Sequence, residues 1–296
     1  MQNFDLTYKS IADTILQQGH WQQCNSQPSK ALFNISFSFP GHIIPLLTLR
    51  KIPYSWAIHE LNWMLSGTSN INKLPKYVQK IWKPWANEDG YIPSSYGRYL
   101  RRYPGITYPY YGEAISGAPL TFNEIDQLTK LVEGLLSDKP SRRLQIKFHH
   151  PDNLWSSSLP PCIDSLAFNW YFEGGVRYLS VNIKFRSSDF MLGFTWDIFQ
   201  FYLLTQAILK VVNTLRPECN YKLSTYTFSA DNIHIYEPHL PNTHKLLRVL
   251  TNPPINWDSS ALEVEHNGPC ISKVNFKLPI EYTKIYKLDI PFEMVI

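Results

Sequence analysis

One cysteine in this sequence is set up differently from the other three. Cys162 lies in Leu159-Pro160-Pro161-Cys162-Ile163, where two prolines stiffen the backbone and hold a thiol at one position. A rigid thiol can serve as a nucleophile once it loses its proton. Free cysteine is also a common buried filler, so its company decides. Arg142 and Arg143 follow Ser141, and Arg186 precedes Ser187 and Ser188 at the end of a β-rich run. Read as the ends of two adjacent strands, these segments would bring guanidinium groups to one point, favouring thiolate and suiting a phosphate. A carboxyl group completes the set. Glu60 is the one acid in SWAIHELNWMLSG (55–67). Four residues after Trp56 and three before Trp63, on a helix it shares an aromatic face where burial raises its proton affinity.

The elements that must carry these groups can be read from periodicity. Ser55 to Gly67 reads as a helix with Ser55 as N-cap, Gly67 as stop and Ile58, Leu61 and Leu65 as its stripe. Ile125, Leu128, Leu131, Val132, Leu135 and Leu136 mark a second helix, ended by Ser137-Asp138-Lys139-Pro140. Leu144, Ile146 and Phe148 alternate as a strand. Runs 166–172 and 176–185 form a hairpin around Glu173-Gly174-Gly175. A long helix spans about Ile198 to Leu215, with Phe201, Leu204, Ala207, Ile208, Val211 and Val212 buried and Asp197 placed to cap its start. Helix, strands, helix and short mixed strands predict an α+β fold.

Composition excludes several classes. At 296 residues, 44% hydrophobic and 18% charged, the chain suits a globular protein with a full core, read as one unit because repeats and long linkers are absent. Lys+Arg 28 against Asp+Glu 24 gives +4, too weak for a nucleic-acid surface but compatible with a small anionic substrate. Cys24, Cys162, Cys219 and Cys270 lack disulfide-scaffold or zinc spacing. The start lacks a basic segment followed by an apolar run, and no stretch approaches the roughly 18 apolar residues of a membrane span, so a soluble intracellular protein is expected. Aromatics, 15% with 9 Trp, either fill the core or line a pocket for a flat ring.

Seven blocks then fall into a known order. IHELNWMLSGTSNI (58–71), IWKPWANEDG (81–90), SSYGRYLR (94–101), DKPSRR (138–143), LPPC (159–162), FRSSDFMLGF (185–194) and HIYEPH (234–239) occur in the order and at about the spacing of thymidylate synthases. The chain resembles that family over roughly 7–250 and again at its last residues, EMVI. The resemblance implies a single catalytic domain over 1–296, a large mixed sheet with flanking helices, and a homodimer packed sheet to sheet. It implies a cytoplasmic enzyme acting on a pyrimidine nucleoside monophosphate, with 5,10-methylenetetrahydrofolate as one-carbon donor and no metal, nucleic acid or membrane. By the same resemblance Cys162 adds to carbon 6 of the ring, making carbon 5 an enamine carbon that can take a one-carbon unit. Glu60 handles protons through ordered water, and Tyr96 lies near the proton leaving carbon 5. Arg186, Ser187 and, from a second subunit, Arg142 and Arg143 hold the phosphate, while His234 and Tyr236 contact the sugar hydroxyl. Trp82, Asp189, Leu192, Gly193 and Trp196 hold folate, with Val295 and Ile296 closing over it.

Departures from the family pattern sharpen the expectation. Asp197 stands where thymidylate synthases carry Asn to read uracil. Cytosine offers a bare N3 and an amino group, and a protonated carboxyl group can donate to the first and accept from the second. Ile163 replaces a His on the side where uracil has O4. Both changes resemble the deoxycytidylate hydroxymethylase branch, known mainly from bacteriophages with modified DNA, in which water traps the exocyclic methylene. The alternatives are a dCMP or dUMP methyltransferase using the folate hydride, and a nucleotide-binding relative without turnover. Cys24-Asn25-Ser26-Gln27-Pro28-Ser29-Lys30 replaces the family's Arg-Thr-Gly loop, removing a phosphate ligand for which Lys30 or a Ser would substitute. Phe185 replaces a Gln before Arg186.

Overall fold

Gly174 and Gly175 set one fixed point of the fold. Both have positive φ, +56° and +80°, the left-handed backbone that a two-residue hairpin turn requires and a side chain opposes. The turn joins antiparallel strands with Glu173 opposite Val176, as the sequence predicts. The computed structural model describes residues 3–24, 27–107, 121–157, 159–285 and 287–294; Val295 and Ile296 lie outside them. Its strands are β1 (His20–Cys24), β2 (Gln27–Pro40), β3 (Tyr103–Thr107), β4 (Thr121–Ile125), β5 (Gln145–Lys147), β6 (Ile163–Glu173), β7 (Val176–Phe185), β8 (Ser188–Asp189), β9 (Tyr221–Tyr236), β10 (Leu262–Asn267) and β11 (Cys270–Phe276). Its helices are α1 (Phe4–Gln18), α2 (Tyr54–Leu65), α3 (Lys76–Trp82), α4 (Tyr96–Arg101), α5 (Gln127–Leu135), α6 (Pro151–Ser156), α7 (Gly193–Leu215), α8 (Leu240–Leu247) and α9 (Ile280–Lys284).

The large sheet has seven strands in the order β1-β2-β9-β7-β6-β5, with β8 paired to β9. It is mixed because β7 and β8 run parallel to β9, and a parallel neighbour needs a crossover, which α7 supplies. On the α7 side, Val181, Ile183, Tyr226 and Phe228 are buried, and the Tyr226 hydroxyl donates to the Ile198 carbonyl at 2.8 Å. The opposite face is polar. Ser36 meets Ser229, Ser38 meets Thr227, and Ser229 donates to Asn182. The α+β expectation, with a large mixed sheet and flanking helices, holds.

Three boundaries differ from the sequence reading, each for a tertiary reason. Helix α2 starts at Tyr54 behind Pro53, so Ser55 is not its N-cap. Tyr54 is buried and its hydroxyl accepts the Leu47 N–H at 2.8 Å, which fixes the chain one residue early. Helix α5 starts after Asp126, whose carboxylate accepts the Thr129 N–H at 3.0 Å, and Ile125 belongs to β4. Helix α7 begins at Gly193 rather than near Ile198. Its entry is shaped by Asp189, which accepts from the Met191 and Leu192 N–H groups, so Asp197 lies inside the helix and caps nothing. Helix α7 also has the length and composition to cross a membrane, which corrects the expectation that no stretch comes near; most of it is buried in the molecule.

Aromatic side chains serve both expected purposes. The largest fully buried side chains are all Tyr or Phe, and Phe37, Phe185 and Phe194 surround Phe228 at centroid distances of 4.9, 4.6 and 4.8 Å. Trp56, Trp82 and Trp196 instead gather near Glu60. Because Phe228 joins the sheet to the α7 entry, Phe228→Ala is expected to destabilise the protein by about 3–5 kcal/mol. Urea unfolding checks this, and a loss below about 1 kcal/mol would mean that the cluster is not a keystone.

Candidate active site

Cys162 sits immediately before β6, and backbone contacts hold it from two sides. Its N–H donates to the Tyr96 hydroxyl at 2.8 Å, and its carbonyl accepts the Arg186 N–H at 2.9 Å. The Arg186 guanidinium donates from Nε to the Pro161 carbonyl at 2.8 Å and from Nη2 to the Pro160 carbonyl at 2.7 Å. The thiol segment is thus clamped to the end of β7. Ile163 is buried in the core, and Phe185 stacks on Phe228, so both residues at these departures pack as apolar core.

The guanidinium expectation needs correction. Strand β6 lies between β5 and β7, so the Arg-bearing segments are not on adjacent strands. Gln145 is level with Ala167 and, through it, with Asn182, whereas Phe185 is level with Ile163. Arg143 therefore lies on the order of 20 Å from Arg186 along the strand direction, at ~3.3 Å per residue. Arg142 and Arg143 are exposed. Burial, moreover, outweighs the nearby charge. It pushes the Cys162 thiol up to about 11 against the pull of Arg186 and the Tyr96 hydroxyl, with Asp197 and Asp189 pushing the same way as burial. At pH 7 about one thiol in ten thousand would be ionised.

Three carboxyl groups converge on this point. Glu60, buried on α2, accepts from Gln200 Nε2 at 2.5 Å. The Trp82 and Trp196 indole N–H groups face it as weaker donors, neither completing a hydrogen bond of ordinary geometry. Burial pushes Glu60 up to about 7 in spite of these donors, as its aromatic helix face predicts. Asp197 is held well above the usual carboxylate range by burial first, then by Glu60 and Asp189. No donor among the described residues reaches it, and one of its oxygens lies over Gly193, 3.6 Å from where a β-carbon would sit. Asp189 is also raised by burial, against the pull of His234, His239 and two backbone N–H groups.

The remaining predicted residues line up along β8 and β9. Asp189 pairs with His234 in register. His234 is buried, its Nδ1 lies 3.0 Å from the Asn232 Oδ1, and its ring meets Tyr236 edge-on at 4.9 Å. Ser187 is half-buried beside Arg186, and Leu192 and Gly193 open α7. Lys30 does not replace the missing Arg loop, because its ammonium group donates to the Leu16 carbonyl at 2.7 Å at the end of α1. His239 Nε2 lies 2.7 Å from the Glu293 carbonyl, and Arg50 stacks over Phe292 at 4.8 Å.

A cavity of about 60 Å³ lies against Cys162, lined by Trp82, Ser94, Tyr96, Leu159 and Pro161 among others. A hollow of about 590 Å³ beside His59, Asn62 and Lys73 holds none of the predicted residues. Its Asn62, Ser66 and Thr68 groups are already bonded within the chain. Sequence reasoning missed Gln200; its signal was an amide three residues after Asp197 in an otherwise apolar stretch of the helix.

A family model described as thymidylate synthase matches residues 6–276. The thymidylate synthase of Bacillus subtilis subsp. natto is 29% identical over 255 residues, covering 82% of each chain. That of Coxiella burnetii (strain Dugway 5J108-111) is 31% identical over 251 residues with the same coverage. Among solved structures, the thermostable thymidylate synthase A from Bacillus subtilis aligns with a TM-score of 0.65 at 24% identity over 92% of this chain and 91% of that one, a likeness of fold.

The thiol energetics give a direct check. The rate of Cys162 alkylation by a small reagent, taken as the difference from Cys162→Ser, should rise about tenfold per pH unit from pH 7 to 9. A plateau by pH 8 would instead mean a preformed thiolate.

Proposed function

The chain belongs to the thymidylate synthase family, and we propose that within it the enzyme is a dCMP 5-hydroxymethylase. Its family makes it a one-carbon transferase with methylenetetrahydrofolate as co-substrate. The observation that carries the finer reading is Asp197, a raised carboxyl group without a donor, within electrostatic reach of both Cys162 and Tyr96. Held protonated, it donates to cytosine N3 and accepts from the N4 amino group; uracil, with a hydrogen on N3, would face a donor with a donor.

The chain's own residues then divide the work. Arg186 and Ser187 would hold the phosphate, and His234 with Tyr236 the sugar hydroxyl. The Cys162 sulfur forms a bond to carbon 6 as its proton leaves, and the electron pair of the 5,6 double bond moves to carbon 5, which bonds to the one-carbon unit. Bound folate would supply that unit, and the edge-to-face rings of Trp56 and Trp196, 6.2 Å apart, offer aromatic surface against which a fused ring could pack. Tyr96, with its hydroxyl on the Cys162 N–H, is placed to take part as the carbon 5 proton leaves; the bond from the one-carbon unit to the folate nitrogen would break with that loss, releasing tetrahydrofolate and leaving the exocyclic methylene, and Glu60 is placed to order the water that adds to it. Expulsion of the sulfur restores the ring, giving 5-hydroxymethyl-dCMP.

A second reading, dUMP methylation by the folate hydride, is favoured by the names of the relatives, which are thymidylate synthases. Product analysis after incubation with each nucleotide and methylenetetrahydrofolate separates them. Hydroxymethyl-dCMP with tetrahydrofolate supports the first; thymidylate with dihydrofolate rejects it, and 5-methyl-dCMP rejects only the water-trapping step. Because the raised Asp197 is protonated below its folded-state pKa, dCMP binding should weaken as pH rises through that value. Asp197→Asn should shift the dUMP to dCMP preference by about a hundredfold or more towards uracil, read in kcat/KM; an unchanged ratio would count against the base-reading role.

The polar sheet face would pack against a second copy, bringing the partner's Arg142 and Arg143 to the phosphate. Mixing Cys162→Ser with the Arg142→Ala, Arg143→Ala double variant, each inactive alone, should then restore turnover in hybrid dimers. Continued inactivity of a mixture shown to exchange subunits would place those arginines elsewhere.

A further inference from the structure

Gln200 is fully buried on α7, and no role in the chemistry described above falls to it. Its Nε2 donates to both the Glu60 carboxylate, at 2.5 Å, and the Ala57 carbonyl, at 3.0 Å. The Ala57 carbonyl accepts only, so the amide orientation is set. Its Oε1 has no partner. An unmet buried acceptor is unfavourable where an apolar side chain would pack, so stability alone gives no reason for a glutamine here.

We propose that Gln200 is a positioning residue that decides which carboxyl group in the pocket keeps its proton, holding Glu60 as the ionised member and leaving Asp197 as the acid. The asymmetry lies in the donors. Glu60 has the Gln200 N–H and faces two indole N–H groups, and Asp189 has the Met191 and Leu192 N–H groups. Asp197 has none among the described residues. Hydrogen bonds to a carboxylate favour its charged form, and like charges held close together disfavour a second ionisation even where, as at Asp189 and Asp197, the side chains are half-buried. The titratable groups around Asp197 sharpen this. They are Glu60 from α2, Asp189 from β8, Cys162 before β6, Tyr96 from α4 and Tyr226 from β9, and none is a cation. Arg186 acts on the thiol and is bound to the prolyl carbonyls. The proton therefore stays where no donor competes with it. The consequence for cytosine, a donor aimed at N3, rests on the function proposed above; the proton's location does not.

Infrared difference spectra of the nucleotide-free enzyme test this directly, with aspartate or glutamate carboxyl carbons labelled. At about pH 8, above the value near 7 to which Glu60 is raised, the remaining protonated carboxyl band should shift with the aspartate label and vanish in Asp197→Asn. At the same pH Gln200→Met, close in shape but without the donor, should gain a glutamate-sensitive band, with Glu60 titrating about one pH unit higher. A Gln200→Met spectrum matching the wild type, or a wild-type band at that pH carried mainly by glutamate, would overturn the proposal. Should Gln200→Met fail to fold, Glu60→Gln gives a second reading. Removing the neighbouring anion should lower the pH at which Asp197 titrates, and an unmoved titration would sink the coupling. Because no nucleotide is present, these outcomes stand whether dCMP or dUMP proves to be the substrate.

Discussion

Carboxyl groups brought together away from water cannot all be charged, because each anion raises the free energy of the next where little solvent screens them. This constraint organises the pocket. Glu60, Asp189 and Asp197 arrive from α2, β8 and α7, three elements that meet only because α7 crosses over the sheet between β7 and β9. Moving any of them would change the proton count as well as the shape. Cys162 belongs to the same set, since its thiolate would be one more anion, and Asp197 and Asp189 add to burial in keeping it protonated. Burial thus raises the three acids and the thiol above their ordinary values, with the neighbouring anions adding to it at Asp197 and Cys162.

The nucleophile is fixed in position rather than pre-ionised. Arg186 commits two donors to the carbonyls of Pro160 and Pro161, acceptors whose own residues have no N–H to form a competing ladder. This ties the thiol segment to the end of β7 and keeps a cation near sulfur. The cation is not strong enough to offset burial. In the proposed reaction, ionisation would accompany the approach of the ring, when sulfur gains a carbon to which it can pass its electrons. A thiol held neutral until then is also protected from adventitious oxidation, which needs thiolate character and access.

Legibility from sequence followed the range of the interaction responsible. The β6–β7 hairpin was readable because Gly174-Gly175 carries its own conformational signal, and Glu60 was readable because its spacing from Trp56 and Trp63 is a property of one helix. The start of α7 was not. Asp197, read as a cap, suggested a later start, and the side chain that overrides it, Asp189, acts from the preceding strand. The arginines were misplaced for a topological reason: β6 separates β5 from β7, and the register sets Arg143, before β5, level with the middle of β7, while Arg186 follows the end of β7. The seven ordered blocks carried the family and the fold, but not which protons reside on which acids.

Reading Asp197 as a one-atom-type change from asparagine misses what makes such a change workable. Introduced alone, a carboxyl group in place of an amide would add a negative charge to a pocket already lined with acids, or take up whatever proton that pocket could spare. It acts as a dependable hydrogen-bond donor only where neighbouring carboxylates are better stabilised as anions than it is. Here Glu60 has Gln200 and faces two indoles, and Asp189 has two backbone N–H groups and His234 nearby. On the proposed reading the discriminating atom is on Asp197, while the free energy that keeps its proton there resides in donors attached to other residues. Base preference would then be a property of the donor arrangement around all three acids, expressed at position 197.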